Sequence, residues 1–373
     1  MAQTDTHIYL DLDIINNDQF SNNDPPILRF EETRNSPFLP GDSAEYYLSI
    51  IRFSIQTGSE LPIWIPRIQI GQQDVDLTVY AVSIDFNGTV STQFLRWIPW
   101  NNSPLPNPPL LNQDNSTRYY YMSSFTQFVE MVNNALSLAW NVVGSAINDA
   151  PFLDFDPVSN RFNLNADVNY VSGNPAPVKI YFNTRLFQLL STFPAKFAGN
   201  EGELNYQLEF YNNNNINLKP IFQPSGITNC QKILYQALVL YQEIDTLNLF
   251  NPVASIVFCS NLLPIKATNT SAPTLFNDNS TGMSSSGAAN LANILTDFEL
   301  GVSVSNQYRP FVSYVANGIY RLVDLNSMAN LNRIDLFVFW KTQFGDLIPF
   351  RLQPGCSAHV KIMFRNKSFN DEK

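Results

Sequence analysis

Apolar and polar residues alternate near both ends of the chain and recur at helical spacing in its middle. Residues 7–14 (HIYLDLDI) alternate as a first half-buried strand, and residues 44–55 (AEYYLSIIRFSI) read as a long second one. In residues 75–86, Val75, Leu77, Val79 and Ala81 fall on one face and Asp76, Thr78, Tyr80 and Val82 on the other. Residues 94–100 close this block. Residues 334–340 (IDLFVFW) are apolar at almost every position, the pattern of a strand covered on both faces. At the end of the chain Ala358, Val360, Ile362 and Phe364 alternate with His359, Lys361, Met363 and Arg365, a half-buried strand with one mostly basic face. Phe344-Gly345-Asp346 and Gln353-Pro354-Gly355 supply the turns between these last strands. Residues 61–70 are apolar but broken by Pro62 and Pro66, which predicts an edge strand or an extended arm.

The centre has a different period. Residues 101–115, rich in Pro and Asn, mark a boundary. Beyond it Phe125, Phe128, Val129, Val132, Leu136, Ala139, Trp140 and Val143 predict a helix over 124–143. Ser124 and Gln127 form a capping-box pattern at its start, and Gly144 suits its stop. A hairpin is expected over 152–155 and 161–164. A second helix starts at the N-cap Asn183 and runs through Leu186, Phe187, Leu189, Leu190 and Phe193 to Pro194. Asn212 to Asn215 read as a turn or loop, and residues 233–244 and 253–258 as strands. Residues 267–290 are rich in Ser, Thr and Asn and predict a mobile loop. The result is an all-β chain with a mixed α+β insertion.

Composition narrows the class. Charged residues are 14% of the 373, while 44 are Asn and 13% are aromatic, which suits long connections between strands and a large apolar or interface area. The net charge of −10 and the absence of basic runs argue against sequence-specific nucleic-acid binding. No apolar stretch is long enough for a membrane span, and the first residues lack the pattern of a secretory signal. Cys230, Cys259 and Cys356 are odd in number and unclustered, as expected of reduced thiols.

Candidate chemistry is sparse. His7 and His359 each sit on a strand with no second ligand nearby in sequence. Asp-x-Asp occurs three times, as Asp11/Asp13, Asp74/Asp76 and Asp154/Asp156; on a strand, positions i and i+2 share a face, so each pair has the form of a cation chelate or of paired carboxylates. The same spacing arises wherever an alternating strand collects its polar residues on the wet side. Cys356 lies near His359, but a turn cysteine before a strand accounts for both. His359, Lys361, Arg365 and Lys367 form a basic stripe that suits a solvated face better than a phosphate site. No catalytic, cofactor or metal site is assigned, and the chain is read as a non-enzyme.

Several blocks carry a resemblance: residues 46–66 (YYLSIIRFSIQTGSELPIWIP), 178–194 (VKIYFNTRLFQLLSTFP), 247–265 (LNLFNPVASIVFCSNLLPI), 295–300 (LTDFEL), 320–325 (YRLVDL) and the closing 334–365. In this order they resemble the minor capsid, or penton, proteins of Polinton/Maverick elements, adintoviruses and virophages. The resemblance implies a single jelly-roll β-sandwich with an insertion, made from residues 1–100 and 231–373 around an insertion region over 101–230. It further implies a homopentamer at the five-fold vertices of an icosahedral capsid, beside a double jelly-roll major capsid protein, in a virion assembled inside the host cell. The Arg-Gly-Asp motif of some distantly related pentons is absent. Candidate subunit contacts are Trp64, Pro66 and Ile68 in the proline-broken run 61–70, and Arg29 and Phe30 in an acidic arm, also broken by proline, over residues 22–34. The alternative is a lectin-like or adhesion jelly roll on a virion or cell surface, since Asn-rich and aromatic loops suit sugars.

Overall fold

A computed structural model describes residues 7–17, 25–58, 60–99, 117–143, 150–172, 176–210, 216–222, 232–266, 268–270, 274–276, 283–285, 290–300, 310–318, 320–343 and 345–368. The chain divides into two compact units, one made of Met1–Pro62 with Pro252–Lys373 and the other of Ile63–Asn251.

The first unit is a β-sandwich of eight main strands: β1 (His7–Ile15), β2 (Arg29–Thr33), β3 (Tyr46–Gln56), β4 (Val253–Cys259), β5 (Ile294–Glu299), β6 (Phe311–Val315), β7 (Arg333–Thr342) and β8 (Ser357–Asn366). They form two antiparallel sheets, ordered β1-β8-β3-β6 and β5-β4-β7-β2. First beside last, and second beside seventh, is the jelly-roll connectivity. Alternation decides which residues lie between the sheets. Leu10 and Leu12 of β1, Phe53 and Ile55 of β3, and Val360, Ile362 and Phe364 of β8 are buried on one side. Ile334, Leu336, Val338 and Trp340 of β7 are buried on the other. The faces interdigitate at Phe53, whose ring lies 5.2 Å from Phe258 and 4.9 Å from Phe298. The outer side of β7 is only partly covered: Asp335 is buried, whereas Phe337 and Phe339 are half-buried.

Asp335 explains how a carboxylate sits in an apolar strand. It accepts from the Ser260 hydroxyl (2.6 Å) and from the backbone N–H of Asn261 (3.1 Å) and Leu262 (2.9 Å), which fixes the turn after β4. The turns read from the sequence are present, with Gly355 at φ 77° and Gly345 at φ 91°. In residues 267–290 the described backbone is paired rather than loose: Thr268–Thr270 with Asn290–Ala292, and Thr274–Phe276 with Met283–Ser285.

The second unit is mixed. One sheet is ordered Thr89–Arg96, Leu77–Phe86, Lys179–Phe182, Tyr206–Leu208, Ala195–Phe197; the other is Ile216–Phe222, Lys232–Tyr241, Arg161–Ala166, Phe152–Asp156. The helix α1 (Phe125–Val143) buries Phe128, Met131, Val132, Leu136 and Ala139 in one core with Val82, Ile84 and Leu95 of the first sheet and Leu153, Phe162 and Leu164 of the second. Residues 75–100 were expected to complete the sandwich, but their strands pack here instead. At the start of α1, Ser124 accepts from the N–H of Thr126, whereas Gln127 is buried and donates to the Ile98 carbonyl, so the capping box does not close. Gly144 lies outside the described residues. The second helix α2 (Thr184–Leu189) starts as read: the Asn183 side chain accepts from Leu186 N–H at 3.0 Å.

Candidate functional site

The three Asp pairs have separate uses. Asp11 and Asp13 point outward from β1. Asp11 meets Lys361 at 3.3 Å and Arg52 at 3.6 Å, and Asp13 meets His359 Nδ1 at 2.7 Å. The pairing register makes these contacts parts of two rows across the outer face of the sheet. One row is Asp11, Lys361, Arg52, Val315; the other is Asp13, His359, Ser54, Ser313. The basic stripe predicted on β8 is therefore largely neutralised from its own sheet. Lys367 donates to the carbonyls of Ala44 and Leu325 and pairs with Asp324.

Asp74 and Asp76 lie on a turn rather than a strand, so the i, i+2 argument does not apply to them. Asp74 pairs with Arg96 at 2.5 Å, and Asp76 accepts the Tyr119 hydroxyl at 2.7 Å. Burial raises the Asp76 carboxyl above its ordinary value, against the lowering effect of the Tyr119 hydrogen bond and with a further rise from Asp74. Tyr119 is raised as well by burial and by that carboxylate, and Tyr120 is pushed up to about 12 by burial. These groups clasp the segment after residue 116 to the turn. Asp156 accepts from Val158 N–H and from the Ser159 hydroxyl and N–H, closing the hairpin to Arg161–Ala166.

The two described thiols are similarly structural, and Cys230 lies outside the described residues. Burial pushes Cys259 up to about 11 and also raises Cys356, away from the thiolate a nucleophile needs. Among the described residues no group of three or more His, Cys, Asp or Glu could hold a metal ion, and no described helix is long and apolar enough to cross a membrane.

The expected contact residues are mostly enclosed. Trp64 (4% exposed) and Ile68 lie in the core of the second unit, Pro66 is buried, and Phe30 is buried on β2. Residues 61–70 form no arm. Their prolines preclude a regular strand, and the segment is tied inward by bridges Trp64–Met122 and Ile68–Thr78. Arg29 alone of the five is exposed, pairing with Glu31 at 3.1 Å over the Phe337 ring.

Side chains that the sequence reading passed over stand on the outer face instead. Tyr9 and Ile15 of β1, and Phe311 and Val315 of β6, are each more than half exposed. Their only sequence signal is the phase of alternation, which separates two faces without saying which is inside.

The profile of the Sputnik minor capsid protein V18/19 family matches residues 8–366. The uncharacterized protein V18 of Sputnik virophage is 38% identical over 131 residues, covering 33% of this chain and 77% of that protein. The structural protein V19 of the same virophage is 27% identical over 224 residues, covering 58% of this chain and 94% of V19. In structure the chain is similar to one in the 3.5 Å cryo-EM structure of the Sputnik virophage, with a TM-score of 0.79, 29% identity, and coverage of 97% of this chain and 98% of the other. It also shares the fold of the mavirus penton protein, with a TM-score of 0.63, 18% identity, and coverage of 96% and 99%. A jelly-roll sandwich in a chain whose Asp11, Asp13, Asp74, Asp76 and Asp156 carboxylates hold its own strands and turns agrees with these likenesses, and the chain belongs to the Sputnik minor capsid protein V18/19 family.

Proposed function

We propose that this structural capsid protein is a penton subunit: five copies close into a ring at each five-fold vertex of an icosahedral shell. There the ring abuts a double jelly-roll major capsid protein, in a virion assembled inside the host cell. The match of the capsid-family profile to residues 8–366 carries the reading, and the fold shared with the mavirus penton protein supports it. The role is mechanical and assigns the chain no reaction and no cofactor. A closed ring joins two different patches of each subunit, and obligate contacts of this kind bury roughly 2,000–5,000 Å² and are apolar. Arg29, on the end strand β2, is kept as a candidate contact; Trp64, Pro66, Ile68 and Phe30 are not.

The test is the mass and shape of the purified protein, alone and mixed with the major capsid protein. Five-fold rings in negative stain, with a mass five times that of the chain, are the expected result. A strict monomer at high concentration that also fails to bind the major capsid protein overturns the proposal.

A further inference from the structure

The two end strands of the β1-β8-β3-β6 sheet differ in chemistry and match each other in height. β6 (FVSYV) carries no charge, and Phe311 (56% exposed) and Val315 (62% exposed) stand outward from it. An uncharged edge strand with exposed apolar side chains is a template for association, and native proteins cover or charge such edges. At the opposite edge, β1 presents Ile15 (60% exposed) together with Asp11 and Asp13. Backbone pairing and one side-chain contact set the correspondence between the edges. Phe311 pairs with Gln56, whose Oε1 accepts from Ser357 N–H, and Ser357 pairs with Ile15. Val315 likewise connects through Arg52 and Lys361 to Asp11. Phe311 and Ile15 thus end one row, and Val315 and Asp11 end another.

We infer that β6 of one copy lies against β1 of the next, so that Phe311 meets the neighbouring Ile15 and Val315 comes level with the neighbouring Asp11. A second copy fits this surface for three reasons. Ring closure needs two different, complementary patches on each chain, and these edges are such a pair. Rotation about an axis along the strands preserves height, so residues that end one row come to face each other between copies. Four antiparallel strands give the two edges opposite direction, so β6 and the neighbouring β1 run antiparallel, as edge pairing prefers.

The inference rests on the five-fold reading, and the experiment separates the two. Ile15→Cys and Phe311→Cys are made singly and together in a chain lacking Cys230 and Cys356, then oxidised mildly. A mixture of the single variants is expected to give disulfide-linked pairs that neither gives alone. The double variant is expected to give a covalent ladder that stops at five. In a second arm Phe311→Glu, a change at an exposed position, raises the concentration at which rings dissociate at least tenfold. Rings of normal mass without these cross-links, and unaffected by Phe311→Glu, overturn the inference and leave the five-fold reading standing. Cross-links of either variant to the major capsid protein, in place of links between copies, assign the edge to that partner and also overturn it. A wild-type chain that forms no rings under any condition removes both.

Discussion

Trp64→Ala distinguishes a core residue from a contact residue, because the two roles predict opposite results. The indole is 4% exposed. Its ring centroid lies 5.1 Å from Tyr80, 5.3 Å from Phe128 and 5.9 Å from Phe250, each in tilted or edge-on geometry. A large buried aromatic removes roughly 150–250 Å² from water, which at about 25 cal/mol per Å² corresponds to about 4–6 kcal/mol of transfer. Alanine keeps a small part of that area and the walls relax partway, so the expected loss is about 3–5 kcal/mol. Trp64→Phe keeps one ring in the slot and is expected to lose about 1–2 kcal/mol. The assay is urea unfolding followed by circular dichroism at fixed protein concentration, with the two units fitted as separate transitions. The loss should appear as an earlier transition of the second unit, with ring assembly unchanged below it. An alanine variant within about 1 kcal/mol of wild type that no longer assembles would refute the placement and restore Trp64 as a contact.

Three further perturbations follow from the geometry. Asp335→Ala leaves the Ser260 hydroxyl and the N–H groups of Asn261 and Leu262 without their acceptor; at about 1 kcal/mol for each it is expected to destabilise the sandwich by about 3 kcal/mol in urea titration, with Asn recovering part. Gly58 has φ 56°, and a Cβ there would meet Gln353 Cγ at 3.0 Å, so Gly58→Ala is expected to lower stability by about 1–2 kcal/mol, and an unchanged melting temperature would count against that turn. Asp76 is raised above its ordinary 3.8, mainly by burial; the folded chain therefore holds this proton more tightly than the unfolded one, and the group's contribution falls as pH rises through the raised value. Asp76→Asn retains an acceptor for Tyr119, so melting curves should find it at least as stable as wild type at pH 7, with the difference shrinking toward pH 4. A large loss at pH 7 would show that the ionised carboxylate is needed there.

What the sequence made legible was local. Asn183 caps α2 because a side-chain acceptor three residues before Leu186 N–H is a contact within one turn, and the period of α1 follows from a single buried stripe. The alternation of residues 358–365 likewise names an inner face without any knowledge of the neighbour. Partnership between distant strands has no such local mark. Strands Leu77–Phe86 and Thr89–Arg96 have the same composition and period as those of the sandwich, yet they cover α1 in the second unit, because the division at residue 62 falls within the proline-broken run rather than at the Pro/Asn-rich break after residue 100. Trp64 was misplaced for the same reason: prolines announce that a segment is no regular strand, but a segment without regular structure can lie in the core if a few backbone bridges tie it there, as Met122 and Thr78 do. Charge was misread in a related way, since the basic face of β8 is neutralised by acidic residues more than 340 positions earlier in the chain. Once those pairings are known, the side chains that stand out on the outer face among the described residues are apolar ones at its two edges. A contact surface is thus found by subtraction, as the apolar exposure left after every strand has met its partner, and that remainder depends on the register between strands, which no stretch of sequence contains by itself.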